Sequence, residues 1–193
     1  MANLKSLRDP SLTKETLLVT DHKVLISMEI VLFSINSEKL HVLLSKRVTP
    51  PFLDFWTIPN GILRMDIGER GEDPDRTVPS KLKETTGLAD DIKYFEQLKT
   101  YAAPDRDPRD QRVISIAYLG IGAGLVDSYE RKSSGQYMFI PVDEIINSSE
   151  KIMAFDHYNI FLDSIKRLKA KIGYSPIATH FCSEEFTIRE LRR

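Results

Sequence analysis

A single cysteine, Cys182, stands in 193 residues. That excludes an internal disulfide framework and a zinc site built from several thiolates. It fits a reducing compartment, so a cytoplasmic protein is expected. An excess of one charge is also missing. Lys and Arg number 27 against 28 Asp and Glu, a net of −1, which gives no overall field toward nucleic acid or an anionic membrane. Long hydrophobic runs are lacking too. The longest, residues 24–33, is interrupted by Glu29, and a membrane-spanning helix needs about 20 apolar residues. The run reads as a buried strand, and no membrane association is expected. The first fifteen residues are polar and lack the apolar core of a secretory signal. No internal repeat, low-complexity tract or Ser-His-Asp or Cys-His spacing stands out.

What is present suffices for one ordinary domain. The chain is 41% hydrophobic and 28% charged, a balance that supports a real core. Residues 1–20 read as an N-terminal arm. Apolar runs at 24–34 and 40–46 predict two strands, with 35–39 as a hairpin loop between them. Residues 55–59 predict a short strand ending at the turn dipeptide Asn60-Gly61, and 62–76 a polar loop. A helix is expected over 79–86, stopped by Gly87 as its C-terminal cap. Strands follow at 92–101, 112–120 and 137–140, with a charged loop at 103–111, and Pro141 opens a short helix. After Asp156, the residues Tyr158, Phe161, Ile165, Leu168 and Ile172 recur at helical spacing, and Gly173 ends the pattern. Lys166, Arg167, Lys169 and Lys171 on that helix read as a solvated basic surface.

Strands interleaved with few helices predict an α/β (α+β) architecture, a mixed sheet between helices. Residues 21–174 form the expected body, and 175–193 a linker leading onward. Thr187 and Glu190 make a capping box, with Phe186 before it as a hydrophobic staple. A helix so short is unstable alone. The expectation is a chain cut at the threshold of a second domain.

The segment that bears on chemistry opens with Trp56-Thr57-Ile58-Pro59-Asn60-Gly61. It closes with Ser80-Lys81-Leu82-Lys83-Glu84-Thr85-Thr86-Gly87-Leu88. It resembles the box of the Nudix family, G-x5-E-x7-R-E-U-x-E-E-x-G-U, where U is a bulky aliphatic residue. The opening resembles W-x-L-P-G-G, with Asn60 replacing one Gly. Glu72 falls in the place of the first glutamate, behind an insertion. The resemblance implies three carboxylates at i, i+3 and i+4, neighbours on one helical face. They would hold Mg²⁺ against a diphosphate and help a water attack phosphorus. Here those positions are Lys81, Glu84 and Thr85, so the local charge falls from about −3 to neutral.

Ser80 replaces the orienting arginine of the box. Pro79 stands where the helix would already be running, so a late start or a kink is expected. No catalytic residue and no metal ligand is therefore expected, and Glu72 and Glu84 are the residual candidates. An active hydrolase would need displaced ligands such as Glu72, Glu69 or Asp66, and only then Mg²⁺.

The resemblance extends over residues 22–172. Val42-Leu43-Leu44-Ser45-Lys46-Arg47 resembles the family's second strand. Residues 94–98 with Arg106-Asp107-Pro108-Arg109, and Ala154-Phe155-Asp156-His157, resemble the ADP-ribose pyrophosphatase branch. Within that branch the chain is similar to Nudix-related transcriptional regulators of bacterial NAD metabolism, which join a degenerate Nudix domain to a winged helix-turn-helix. The resemblance implies binding of ADP-ribose or a related nucleotide without turnover, a homodimer, and DNA contact only through a C-terminal domain. Residues 183–191 are similar to the entry into that domain.

The ligand-binding candidates read from the residues are Arg47, Arg106, Arg109 and Arg112, whose guanidinium forks match phosphate oxygens. Asp107 lies in the same charged loop, and loops between strands often carry binding residues. Phe55 and Trp56 could stack a base or a ribose, and Asn60 stands in the box opening. His157 reads as a first-turn helix residue rather than a base.

Overall fold

Met28 to Phe33 alternate between two apolar surfaces, and the strand that carries them is buried on both sides. In the computed structural model this strand, β1 (Val24–Asn36), is the spine of the sheet. Its β-branched and aromatic side chains suit a pleated surface covered on both faces. Residues 24–64, 73–109, 111–132, 137–148, 152–183, 186–187 and 191 are described. The expectations for residues 1–20, for Asp66, Glu69 and Glu72, and for the capping partner Glu190 lie outside them.

A two-residue turn at Ser37 and Glu38, both at positive φ (49° and 61°), leads into β2 (Lys39–Lys46). Left-handed residues at both turn positions match the twist of a tight hairpin. Pairing therefore continues to Ile35↔Leu40 and Asn36↔Lys39, and the hairpin is tighter than the loop expected over 35–39. On the other edge of β1, β6 (Arg112–Ile121) runs parallel from Val24↔Arg112 to Phe33↔Ile121. β5 (Tyr94–Tyr101) pairs antiparallel with β6.

Three short strands complete the sheet. β3 (Trp56–Thr57) and β7 (Tyr137–Pro141) pair with β2, and β4 (Asn60–Ile62) pairs with β1. The order is β3-β2-β1-β6-β5, a mixed seven-stranded sheet.

Helices cover both faces. On one, α1 (Pro74–Thr86) and α2 (Leu125–Lys132) belong to a cluster in which Val78, Leu82, Leu88, Leu125 and Tyr129 join Met28, Ile30 and Leu32. On the other, α3 (Val142–Asn147) and α4 (His157–Ile172) bring Ile145, Ile160, Phe161, Ile165 and Leu168 to Val31 and Phe33. Ile177, from a 3-10 turn at Pro176–Phe181, is buried in the same cluster. Full burial of such side chains contributes about 1.5–3 kcal/mol each. Among the described residues no helix is long and apolar enough to cross a membrane.

Three local expectations change. Helix α1 begins at Pro74, not Pro79, and runs through Pro79. Asp73 caps it by accepting the Asp75 N–H at 3.1 Å, and Pro74 occupies the first turn, where its missing donor costs nothing. Pro79 removes one later hydrogen bond, but its neighbours Val78 and Leu82 are buried in the core, and that packing outweighs the loss. Second, Asn60-Gly61 is not a turn. It is the strand β4, because β1 offers a free edge, with Met28↔Gly61 and Glu29↔Asn60 in register. Third, α2 was not anticipated: it has few apolar residues, and Leu125, Val126 and Tyr129 are the buried ones among those described. Gly87 caps α1 as expected, at φ 72° with its N–H bonded to Lys83 O at 2.9 Å.

Candidate ligand-binding site

Pairing of β4 with β1 sets the bare backbone of Gly61 opposite α1. Between them lies a cleft of about 220 Å³ lined by Asn60, Gly61, Lys81 and Glu84, with Met28, Ile30, Val78 and Leu82 as apolar walls. A Cβ placed on Gly61 would come within 3.2 Å of Lys81 Cδ. The lysine stem thus lies directly over the glycine, where any larger residue would force it aside. Asn60 turns its side chain back, donating Nδ2 to Ile58 O at 3.0 Å. Ser80 is exposed on α1. Glu72 and the Thr85 side chain lie outside the described residues.

The residues of this cleft do not fit a divalent cation. A hard cation of this kind wants several oxygen ligands. Lys81 brings an ammonium to a position where the box would bring a carboxylate. Among the described residues no group of three or more His, Cys, Asp or Glu could hold a metal ion.

A second set of candidates meets at Phe155, which sits at φ 55°. The Arg47 guanidinium lies 4.8 Å from the Phe155 ring centroid and that of Arg109 5.4 Å. Phe52 packs edge-on to the same ring, and Phe55 edge-on to Phe52. Arg47 Nε donates to Pro51 O at 2.7 Å, tying down the loop before β3. Burial and the neighbouring Arg109 charge both hold Arg47 below the ordinary arginine range. Arg109 forks onto Asp107. Burial alone would raise the Asp107 carboxyl, but the side-chain and backbone hydrogen bonds of Arg109 outweigh it and leave Asp107 below the usual carboxylate range. Among the described residues, two guanidiniums and the Asp107 carboxylate thus meet at this ring, a net positive charge.

Trp56 is held by its main chain. Its backbone donates to Ile152 O at 2.7 Å and accepts from Ala154 N–H at 2.9 Å, while Lys46 approaches its indole at 6.0 Å. Arg112 donates to Ala102 O at the base of β6. Arg106 is not a surface arginine: its side chain is 4% exposed. Nε and Nη2 fork onto Asp156 at 3.0 and 2.6 Å, and Nη2 lies 3.8 Å from Glu29. The structure spends this guanidinium inside the protein.

Beneath Arg106 is a polar cluster that the sequence signalled only by the charge inside its apolar run. Glu29, 2% exposed, accepts hydrogen bonds from Ser115 at 2.6 Å and Ser27 at 2.9 Å through Oε1. Its Oε2 is buried without a partner among the described residues. Burial pushes the Glu29 carboxyl up to about 7, against the lowering influence of Ser115, Arg106 and Ser27. His157 is also buried. Its Nδ1 accepts the Ile58 N–H at 3.0 Å, so a ring proton sits on Nε2, 4.0 Å from Glu29. Burial, with the Arg106 and Arg47 charges, pushes the imidazole down to about 3. A neutral, immobilised imidazole in the first turn of α4 matches the structural role expected of it.

Comparison with known proteins shows what this arrangement resembles. No family model matches the chain. The ADPR-responsive transcriptional repressor NtrR of Acinetobacter baylyi is 24% identical over 168 residues, which are 87% of this chain and 64% of that repressor. The chain therefore spans less than two thirds of that relative. The crystal structure of Shewanella oneidensis NrtR is similar with a TM-score of 0.74 and 29% identity, over 86% of this chain and 74% of that one. The NUDIX domain of the same protein, crystallised with ADP ribose, is similar over 81% of this chain and 99% of its own, with 26% identity and a TM-score of 0.61. The sheet and the helix that carries the altered box agree with these structures: the chain has a Nudix fold and is similar to Nudix-related regulators.

Proposed function

We propose that this chain is the effector-binding part of a transcriptional regulator, taking ADP-ribose or a related NAD-derived nucleotide without hydrolysing it. The observation that carries the reading is a juxtaposition in the box cleft. A chain similar over 81% of its length to a domain crystallised with ADP ribose presents Lys81 over Gly61, where turnover would call for a carboxylate and a metal ion. Arg47, Arg109, Phe155 and Phe55 supply a cationic, aromatic rim suited to a diphosphate and its sugar or base. The same reading makes the chain one half of a homodimer, working in the cytoplasm, and leaves DNA contact to a C-terminal domain.

The test is a calorimetric and thermal-melting titration with ADP-ribose, run beside an assay for AMP release. Saturation to 100 times Kd stabilises a protein by about 2.7 kcal/mol, which a melting scan resolves. The expected result is a raised Tm and no AMP. Mg²⁺-dependent AMP release that scales with purified protein and is lost in Glu84→Gln would overturn the reading in favour of a hydrolase with displaced ligands. No shift with any nucleotide would leave an inherited fold without a ligand.

A further inference from the structure

We infer that Lys81 is a tethered cation that takes over, in the cleft between α1 and β4, the role a divalent ion plays beside a diphosphate, so that a nucleotide is held without metal. This rests on the nucleotide-binding reading above and goes beyond it by assigning a residue and an ion requirement to the cleft.

Three carboxylates on one helical face repel a diphosphate unless a metal ion lies between them. In this chain the three positions are an ammonium, a carboxylate and a hydroxyl. Among the described residues that line the cleft, Lys81 and Glu84 are the charged pair and they cancel, so an anion meets no net repulsion from them.

Geometry adds a second point. The Lys81 stem crosses Gly61 within 3.2 Å of where a Cβ would stand. The helix thereby delivers a cation into the cleft, on a four-carbon stem that lets the ammonium follow its partner. Met28, Ile30 and Leu82 wall the same cleft, and apolar walls strengthen an ionic contact by excluding water. Lysine holds phosphate as a point charge, without the fixed fork of arginine.

The experiment exchanges the two cations. ADP-ribose binding to the 193-residue chain is measured by calorimetry in EDTA and in excess Mg²⁺, for the natural sequence, Lys81→Gln, Lys81→Arg and the pair Lys81→Glu with Thr85→Glu. The natural chain should bind equally with and without Mg²⁺. Lys81→Gln should weaken binding about tenfold or more, the usual range for a lost charge-assisted hydrogen bond, and Lys81→Arg should restore most of it. The paired substitution rebuilds the carboxylate face, so it should bind poorly in EDTA and recover with Mg²⁺. Mn²⁺ alone, followed by water-proton relaxation, should find no site in the natural chain and a new one in the paired variant.

Equal affinity of Lys81→Gln and the natural chain, or a Mg²⁺ requirement in the natural chain, would overturn the inference while leaving nucleotide binding intact. Absence of any ADP-ribose binding would overturn the underlying reading instead. In that case a Mn²⁺ site in the natural chain that survives Lys81→Gln would still count against the lysine.

Discussion

The two faces of the sheet handle charge in opposite ways. Under α4, Glu29, Arg106 and the neutral His157 are buried, with the partly exposed Asp156 at the edge of the cluster, and each meets a named partner within the protein. Against α1, Lys81 and Glu84 line an open cleft. Charges of the first kind are part of the fold, because removing one strands another in a medium that solvates it poorly. Charges of the second kind border solvent at the mouth of that cleft. The difference separates arginines that look alike in sequence: the Arg106 side chain is 4% exposed and forked onto Asp156, whereas that of Arg109 is 52% exposed.

The largest effect should come from breaking the buried network. Arg106→Ala leaves Asp156 and Glu29 uncompensated and should cost about 3–5 kcal/mol in urea unfolding. A loss below about 1 kcal/mol would mean that water reaches this cluster and that the contrast between the faces is wrong.

The pH dependence of stability sharpens the same contrast. Glu29 has its carboxyl raised from the ordinary 4.5 to about 7, so the folded state holds that proton more tightly than the unfolded chain. Its contribution is full below pH 4.5 and is lost as pH rises through 7. His157 is lowered from 6.5 to about 3, so its contribution is full above 6.5 and is lost as pH falls through 3. Between pH 4.5 and 6.5 the two slopes oppose each other, and the natural protein should show a nearly flat profile there. Glu29→Gln removes one slope, and stability should then rise with pH from about 3 to 6.5. A flat profile in that variant would show that His157 titrates normally.

A moderate effect is expected at the cap of α1. Gly87 sits at φ 72°, and Gly87→Ala should cost about 1 kcal/mol by denaturant titration, since a Cβ is disfavoured in that conformation. Smallest of all, Lys81→Gln should change stability by less than about 0.5 kcal/mol, although it should weaken nucleotide binding. A large loss of stability there would place Lys81 among the structural charges.

Much of this organisation was legible in the residues. The β1–β2 hairpin, the α4 periodicity and the altered box all depend on local pattern, which sequence carries directly. The parts that differed depend on distant partners. Asn60-Gly61 reads as a turn until β1 supplies an edge for it. Pro79 reads as a helix breaker until Val78 and Leu82 are seen to anchor the helix on the core. Arg106 reads as a surface fork in a charged loop, because nothing local reveals that Asp156 lies fifty residues away with Glu29 beneath it. Glu29 itself was visible as a charge in an apolar strand. Its meaning required knowing which face of the strand it occupied. The ligand rim at Phe155 likewise joins residues 47, 109 and 155, a convergence that only the fold creates.

The measurement that bears most directly on the central claim is a titration of ADP-ribose into the purified 193-residue chain in EDTA, with AMP release followed in a parallel sample containing Mg²⁺. The account predicts saturable binding in EDTA, unchanged affinity with Mg²⁺, and no AMP in the parallel sample. Binding that appears only with Mg²⁺, accompanied by steady AMP release, would contradict it.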